Sequence, residues 1–445
     1  MAKRSASLVV VAAGLLSLSL AFAPVAAAGQ EYPDASLPAL WARCQETLPP
    51  FRLEIIKDEI VSSFTIPELK LRRIEVRFTS QVVGQWERRM AHTGVIHMPA
   101  DSARLNTPDR KGKVVVIANA YGDTLMIDNY GEPIAARTGY PTMVLPIPGE
   151  YDGHNGESCW VYFLRSLLQD TRDPLDHQYF RFAIPYLSAL DVFAEILDEK
   201  NIRAIIGGHS KRAPSAFNAA AMDPERVAGV VYMGMESIFA GYEDKEWKSI
   251  SPVHSQGTVR CPVLYLGATN EDGYEMFNIT RIQDKMTKPW TVEYIPNYRH
   301  ATCSEVQILD WQMWISHVFE GRPLTRITDL SCRETDEGTT FQARILSENR
   351  IIQTKVWYAY NDDEPYWRDI MWYPVYLRPA GEKYEVFLPG KLPDAWLVEV
   401  KDIARGFVGY VSSTPQDITR KPTAERHSRG WRSRNWEPKL RKLKK

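Results

Sequence analysis

The stretch that most restricts the fold is Ile205-Ile206-Gly207-Gly208-His209-Ser210-Lys211-Arg212, followed by the small, helix-prone run from Ala213 to Ala221. An apolar segment closes on two glycines, a serine follows after one residue, and a helix is expected to run on to Asp223-Pro224. The pattern is strand, sharp turn, helix. A backbone bent this tightly tolerates only small neighbours. It lifts a serine oxygen clear of the sheet and turns the first N–H groups of the next helix toward it. Gly208 fills the position two before Ser210, while Arg212 stands two after it, where the general G-x-S-x-G pattern has glycine. The octet alone can equally be read as a strand end in which Ser210 caps a helix.

The flanking segments favour the elbow. Val114 to Ala118 is a continuous, mostly β-branched run, as in a strand buried on both faces. Tyr140 to Pro148 predicts another strand, which feeds a polar loop carrying Asp152, His154 and Glu157. Phe182, Leu187, Leu190, Phe193 and Leu197 recur at helical spacing just before the octet. Val227–Gly234, Cys261–Ala268 and Thr291–Ile295 predict three more strands, and Lys70–Met98 predicts a hairpin around Val83-Gly84-Gln85. Strands alternating with helices imply a doubly wound, mostly parallel sheet with its reactive groups at the carboxyl ends of the strands.

Ser210, the acids of Asn270-Glu271-Asp272, and His300 each lie just beyond a predicted strand. Serine, acid, histidine is the chain order of an α/β-hydrolase triad. A serine hydroxyl is a poor nucleophile at its free pKa. It needs a neutral imidazole to take its proton, and the imidazole needs a carboxylate to fix its tautomer. The expected fold is therefore α/β-hydrolase-like, with Ser210 as nucleophile, His300 as base, and Glu271 or Asp272 as the acid. The backbone N–H groups of Lys211 and of the Tyr121 region are the expected oxyanion donors. His209 and Arg212 are expected to contact substrate.

The periphery supplies context. Lys3 and Arg4, the apolar run Leu8–Ala23 and the small residues Val25-Ala26-Ala27-Ala28 read as a cleaved signal peptide over 1–28, so a secreted or periplasmic location is expected. The hydrolase domain is expected over 29–322. Around Arg322-Pro323 the texture changes to short alternating runs such as Thr340–Ile345 and Ala395–Val400, which predict an Ig-like β-sandwich over 323–419. A basic tail over 420–445, with Trp431 and Trp436, reads as solvated chain able to touch the envelope or an anionic surface. The formal net charge of -1 gives no case for a nucleic-acid partner. No H-E-x-x-H and no CxxC pair occurs, so no metal or other cofactor is expected. In an exported chain the five cysteines allow one or two disulfides, with the pairing left open.

Thr79-Ser80-Gln81 with Trp86 and His92, Asp173-Pro174, Ala189-Leu190-Asp191, Ser210-Lys211-Arg212, Asp223-Pro224-Glu225-Arg226-Val227 and Pro296-Asn297-Tyr298-Arg299-His300 resemble the PhoPQ-activated pathogenicity-related protein family. The likeness continues through Val398-Glu399-Val400 and Val411-Ser412-Ser413 and covers most of the mature chain. It implies an exported or membrane-associated α/β-hydrolase-like protein in which Lys-Arg follows the serine. It also implies that Glu271 falls on the acid position, with Asp272 adjacent. The basic residue just after the serine is similar to the elbow of esterases that act on uronic acid esters. The expected activity is hydrolysis of a small-molecule or polymer-linked ester, less an amide, through an acyl-enzyme. The alternatives are a catalytically inactive binding or envelope-associated protein with the same fold, and a serine peptidase.

Overall fold

The computed structural model describes residues 36–84, 88–119, 126–151, 154–155, 157–234, 250, 257–271, 276, 290–300, 304–361 and 367–417. The expected signal peptide, the basic tail, Tyr121 and Asp272 lie outside the described residues.

Strands β1 (Leu53–Ser62), β2 (Lys70–Val83) and β3 (Arg88–Pro99) form an antiparallel meander, with the expected hairpin joining β2 to β3. Next come β4 (Lys113–Asn119) and β5 (Thr142–Pro146), and the two-residue strands β6 (Glu150–Tyr151) and β7 (His154–Asn155), of which β6 pairs with β3. The chain then adds β8 (Arg203–His209), β9 (Val227–Met233), β10 (Val263–Ala268) and β11 (Thr291–Ile295). The sheet order is β1-β2-β3-β5-β4-β8-β9-β10-β11, and every pair from β5 to β11 is parallel.

These central strands are apolar on both faces because helices cover both. Along β4, Val114 and Val116 face one core and Val115 and Ile117 the other, the two-residue period of a strand. The first core is closed by helices α1 (Leu37–Gln45), α4 (Ile184–Leu197) and α5 (Arg212–Met222). The second is closed by α2 (Glu132–Thr138) and α6 (Glu305–Glu320) through Ile134, Trp311, Trp314 and Ile315. Between α2 and α4 lies α3 (Glu157–Thr171). Ala213, Ala216, Ala219 and Ala220 are fully buried in α5, which lets that helix lie close on the sheet. A reciprocal Ser304–Gln307 capping box starts α6, and Gly321 in the left-handed region ends it.

Beyond Arg322 the chain forms two antiparallel sheets. One holds β12 (Arg326–Thr335), β13 (Gly338–Leu346), β16 (Arg378–Ala380) and β17 (Lys383–Pro389). The other holds β14 (Arg350–Ala359), β15 (Trp372–Tyr376), β18 (Ala395–Ala404), β19 (Phe407–Ser412) and β20 (Gln416–Asp417). Phe341 and Ala343 from the first sheet meet Val356, Trp396 and Val398 from the second, so the pair is a sandwich. It is bonded to strand β11 and to helix α6: Tyr294 N–H donates to Ser412 Oγ at 2.8 Å and Tyr410 N–H to Asp310 Oδ1 at 2.8 Å. Fully buried Arg322 pairs with Asp402, which also accepts from Thr325 and from Asn349 Nδ2.

At the other end of the parallel sheet, β1 has no neighbour on its outer side among the described residues, and Ile55, Ile56 and Ile60 are exposed along it. Cys44, in α1, and Cys332, in β12, are in no disulfide.

Candidate active site

β8 ends at His209 and α5 begins at Arg212, leaving two residues for the turn. Ser210 takes φ 59, a left-handed conformation that costs a residue with a Cβ about 1–2 kcal/mol. The strain is held by Ser210 N–H donating to Met233 O at 3.0 Å and Ala213 N–H donating to Ser210 O at 2.9 Å. Tyr186 Oη, from α4, reaches both Gly207 O at 3.2 Å and Arg212 O at 3.1 Å and so ties the two ends of the turn together. Neither preceding glycine has room for a side chain. A Cβ on Gly208 would lie 2.5 Å from Arg212 Cβ, and one on Gly207 would lie 2.5 Å from Val231 O. The N-cap position of α5 belongs to Lys211 rather than Ser210, and no side-chain bond caps the helix at Lys211 among the described residues.

Arg212 is 4% exposed, and its Nε donates to Ile147 O at 2.9 Å, just past the end of β5. Where the general pattern has glycine, this chain builds a buried cross-brace between two strand exits. Lys211 is half-buried at the helix start.

The exits of β10 and β11 bring in the other partners. Glu271, its side chain 2% exposed, places Oε1 2.8 Å from Nδ1 of His300. A buried carboxylate is an acceptor only, so a carboxylate at this distance favours the tautomer with its proton on Nδ1 and Nε2 as the basic nitrogen. Directly beneath is Gly234, the residue after β9, with φ 66. A Cβ there would lie 3.4 Å from Nδ1 of His300 and 3.8 Å from Oε2 of Glu271. Ser210 bonds to the backbone of Met233, and the next residue lies beside both His300 and Glu271, so the exits of β8, β9, β10 and β11 converge on one place.

His209 packs its ring on that of His300, with centroids 4.3 Å apart and planes at 39°. Burial holds the His209 pKa well below the ordinary imidazole value, and Coulombic interaction with His300 and Arg212 pushes the same way. His209 is therefore a neutral, flat wall beside His300.

Of the residues expected from sequence, the structure gathers Ser210, His209, Lys211, Arg212, Glu271 and His300 at this point; Asp272 and Tyr121 are outside the described residues. Sequence reasoning passed over Gly234 and Tyr186. A glycine immediately after a strand was the available signal for the first, and nothing in the local sequence marks the second.

A parallel sheet entered through an antiparallel meander, with the β5–β4 order reversal beside an elbow at the end of β8, is decisive. The architecture is the α/β-hydrolase fold. No family model matches the chain, and no curated protein matches it. Among solved structures, the α/β-hydrolase fold of this chain is similar to that of an acetyl xylan esterase from Thermoanaerobacterium sp. (11% identity, 63% of this chain and 93% of that one, TM-score 0.42). A glucuronoyl esterase from Solibacter usitatus (13%, 63% and 91%, TM-score 0.42) and an S-formylglutathione hydrolase from Agrobacterium tumefaciens (12%, 60% and 96%, TM-score 0.40) are likewise similar.

Proposed function

We propose that the protein is an exported serine esterase that works through an acyl-enzyme. The observation that carries this reading is the 2.8 Å contact between buried Glu271 and His300, set against a serine in the left-handed turn at the end of β8. Ser210 Oγ attacks the ester carbonyl while His300 Nε2 takes its proton, and Glu271 stabilises the imidazolium that forms. The tetrahedral oxyanion is held by the N–H of Lys211 and by a second donor from the Tyr121 region. Collapse breaks the bond to the leaving alcohol, which His300 protonates. Water then repeats the sequence on the acyl-enzyme and releases the carboxylic acid. Export rests on the segment 1–28, and the sequence likeness around Ser210-Lys211-Arg212 supports kinship with the PhoPQ-activated pathogenicity-related proteins.

The test is labelling of the mature protein with a fluorophosphonate, beside Ser210→Ala, with intact mass to locate the adduct. A single adduct on Ser210 that is lost in the variant is expected. A folded wild-type protein that stays unlabelled would overturn the reading. In a functioning triad, loss of the serine costs on the order of 10⁶ in turnover.

A further inference from the structure

Asn270 immediately precedes Glu271, and its side-chain amide is committed to the C-terminal sandwich: Nδ2 donates to Ile370 O at 2.7 Å and to Arg368 O at 2.9 Å. Asn297 lies three residues before His300, in the left-handed region at φ 57. It pairs with one sandwich residue in both directions: Nδ2 donates to Trp372 O at 2.9 Å and Trp372 N–H donates to Oδ1 at 2.8 Å. The two loops are also bonded to each other, through Asn270 N–H to Tyr298 O at 3.0 Å and Asn297 N–H to Thr269 Oγ1 at 2.9 Å. The receiving segment is firmly bedded, since Trp367, Ile370 and Trp372 are buried in the same core as α4 and α5.

A backbone carbonyl has a fixed direction, and a two-way amide pair fixes separation and twist together. An exposed ion pair such as Arg299–Asp369, at 3.2 Å, adds little to this.

We propose that the C-terminal sandwich is a working part of the active site, in which Trp367–Trp372 clamps the acid and histidine loops through Asn270 and Asn297, the positioning residues for the Glu271–His300 pair. The inference rests on the esterase reading above. Without the clamp the fold persists, but the two loops lose the reference that sets the 2.8 Å contact. A misplacement of about 1 Å at a reacting group costs on the order of 10²-fold in rate.

The experiment uses the full mature chain and the variants Asn297→Gly and Asn270→Ser. Glycine keeps the left-handed backbone available and removes only the side chain. Two quantities are read: the fluorophosphonate labelling rate across pH, and the downfield Nδ1 proton of His300 in protein labelled with ¹⁵N-histidine. Labelling is expected to fall roughly 10- to 100-fold with an altered pH profile, and the Nδ1 proton to be lost to exchange. Arg299→Ala is expected to match the wild type. Asn297→Asp, which keeps the acceptor for Trp372 N–H and deletes the donor, serves if the glycine variant does not fold.

Equal labelling and an unchanged Nδ1 proton in folded variants overturn the clamp and leave the esterase standing. A wild-type protein that does not label overturns the esterase, and the Nδ1 proton then judges the clamp alone. Present in the wild type and absent in the variants, it supports the clamp. The same in both, it overturns it.

Discussion

Glu293 gives a stability prediction whose sign and slope follow from its surroundings. It sits on β11 with no exposed surface, and neither carboxyl oxygen has a hydrogen-bond partner among the described residues. Burial raises its pKa well above the ordinary value, and Glu399 on β18 and Asp310 on α6 raise it further. Asp310 is itself raised by burial, with Glu399 and Asp402 adding to the rise while Tyr410 N–H and Arg322 oppose it. Glu399 is raised by burial against the pull of Lys355 and Lys401. In the unfolded chain a glutamate loses its proton near pH 4.3. The folded chain keeps this proton, so stability is fully present below that pH. It is lost at about 1.4 kcal/mol per pH unit as pH rises toward the folded value. Glu293→Gln removes that linkage. Its buried amide lacks partners and costs roughly 1–3 kcal/mol at low pH, so the variant starts less stable and gains on the wild type as pH rises. Urea midpoints from pH 5 to 9 for both proteins measure the difference. Parallel curves would show that Glu293 titrates alike in both states and would refute the argument.

Gly208→Ala forces a methyl group to within 2.5 Å of Arg212 Cβ, so labelling of Ser210 is expected to fall at least 10²-fold while the far-UV spectrum is kept. Ser210→Gly and Ser210→Ala both delete the hydroxyl, but only glycine relieves φ 59. After the unfolded-state entropy of glycine is subtracted, the glycine variant should be the more stable by roughly 0.5–1 kcal/mol in chemical denaturation. Equal midpoints would mean that the turn relaxes. Arg212→Met keeps the apolar bulk and deletes the donor to Ile147 O; a loss of about 1–3 kcal/mol is expected in the same assay.

The parts of the site that were legible in the sequence have a local cause. Gly207-Gly208 ahead of Ser210 is demanded by close approach of Val231 and Arg212, and such demands show in residue size. The sheet strands announce themselves because both faces are buried, and the sandwich strands because one face is. Helix Glu305–Glu320 was not anticipated: Gln307, Asp310, Gln312 and Ser316 are buried in it beside Trp311 and Trp314, and this blurs the helical period. Strand β1 was missed because it is exposed on both faces and has no alternation to read. Adjacent acids at 271 and 272 look interchangeable in one dimension, and the contact of Glu271 with His300 over Gly234 is a fact of packing. The bonds of Asn270 and Asn297 reach carbonyls 98 to 100 and 75 residues away, which no local pattern can announce.

The open side of β1 has a practical consequence for handling the protein. Among the described residues no strand pairs with its outer edge, and such an edge flanked by exposed Ile55, Ile56 and Ile60 is a template for sheet-to-sheet adhesion. Between Ile56 and Ile60 stands Lys57-Asp58-Glu59, three consecutive charges of which Lys57 and Asp58 are exposed and Glu59 is half-buried. Charges so placed penalise any strand that would zip on from another molecule. A triplet far from the reacting atoms is thus expected to set how concentrated a solution of this protein stays clear. Trimming it to alanine in a search for crystals would invite fibres or precipitate before it touched turnover.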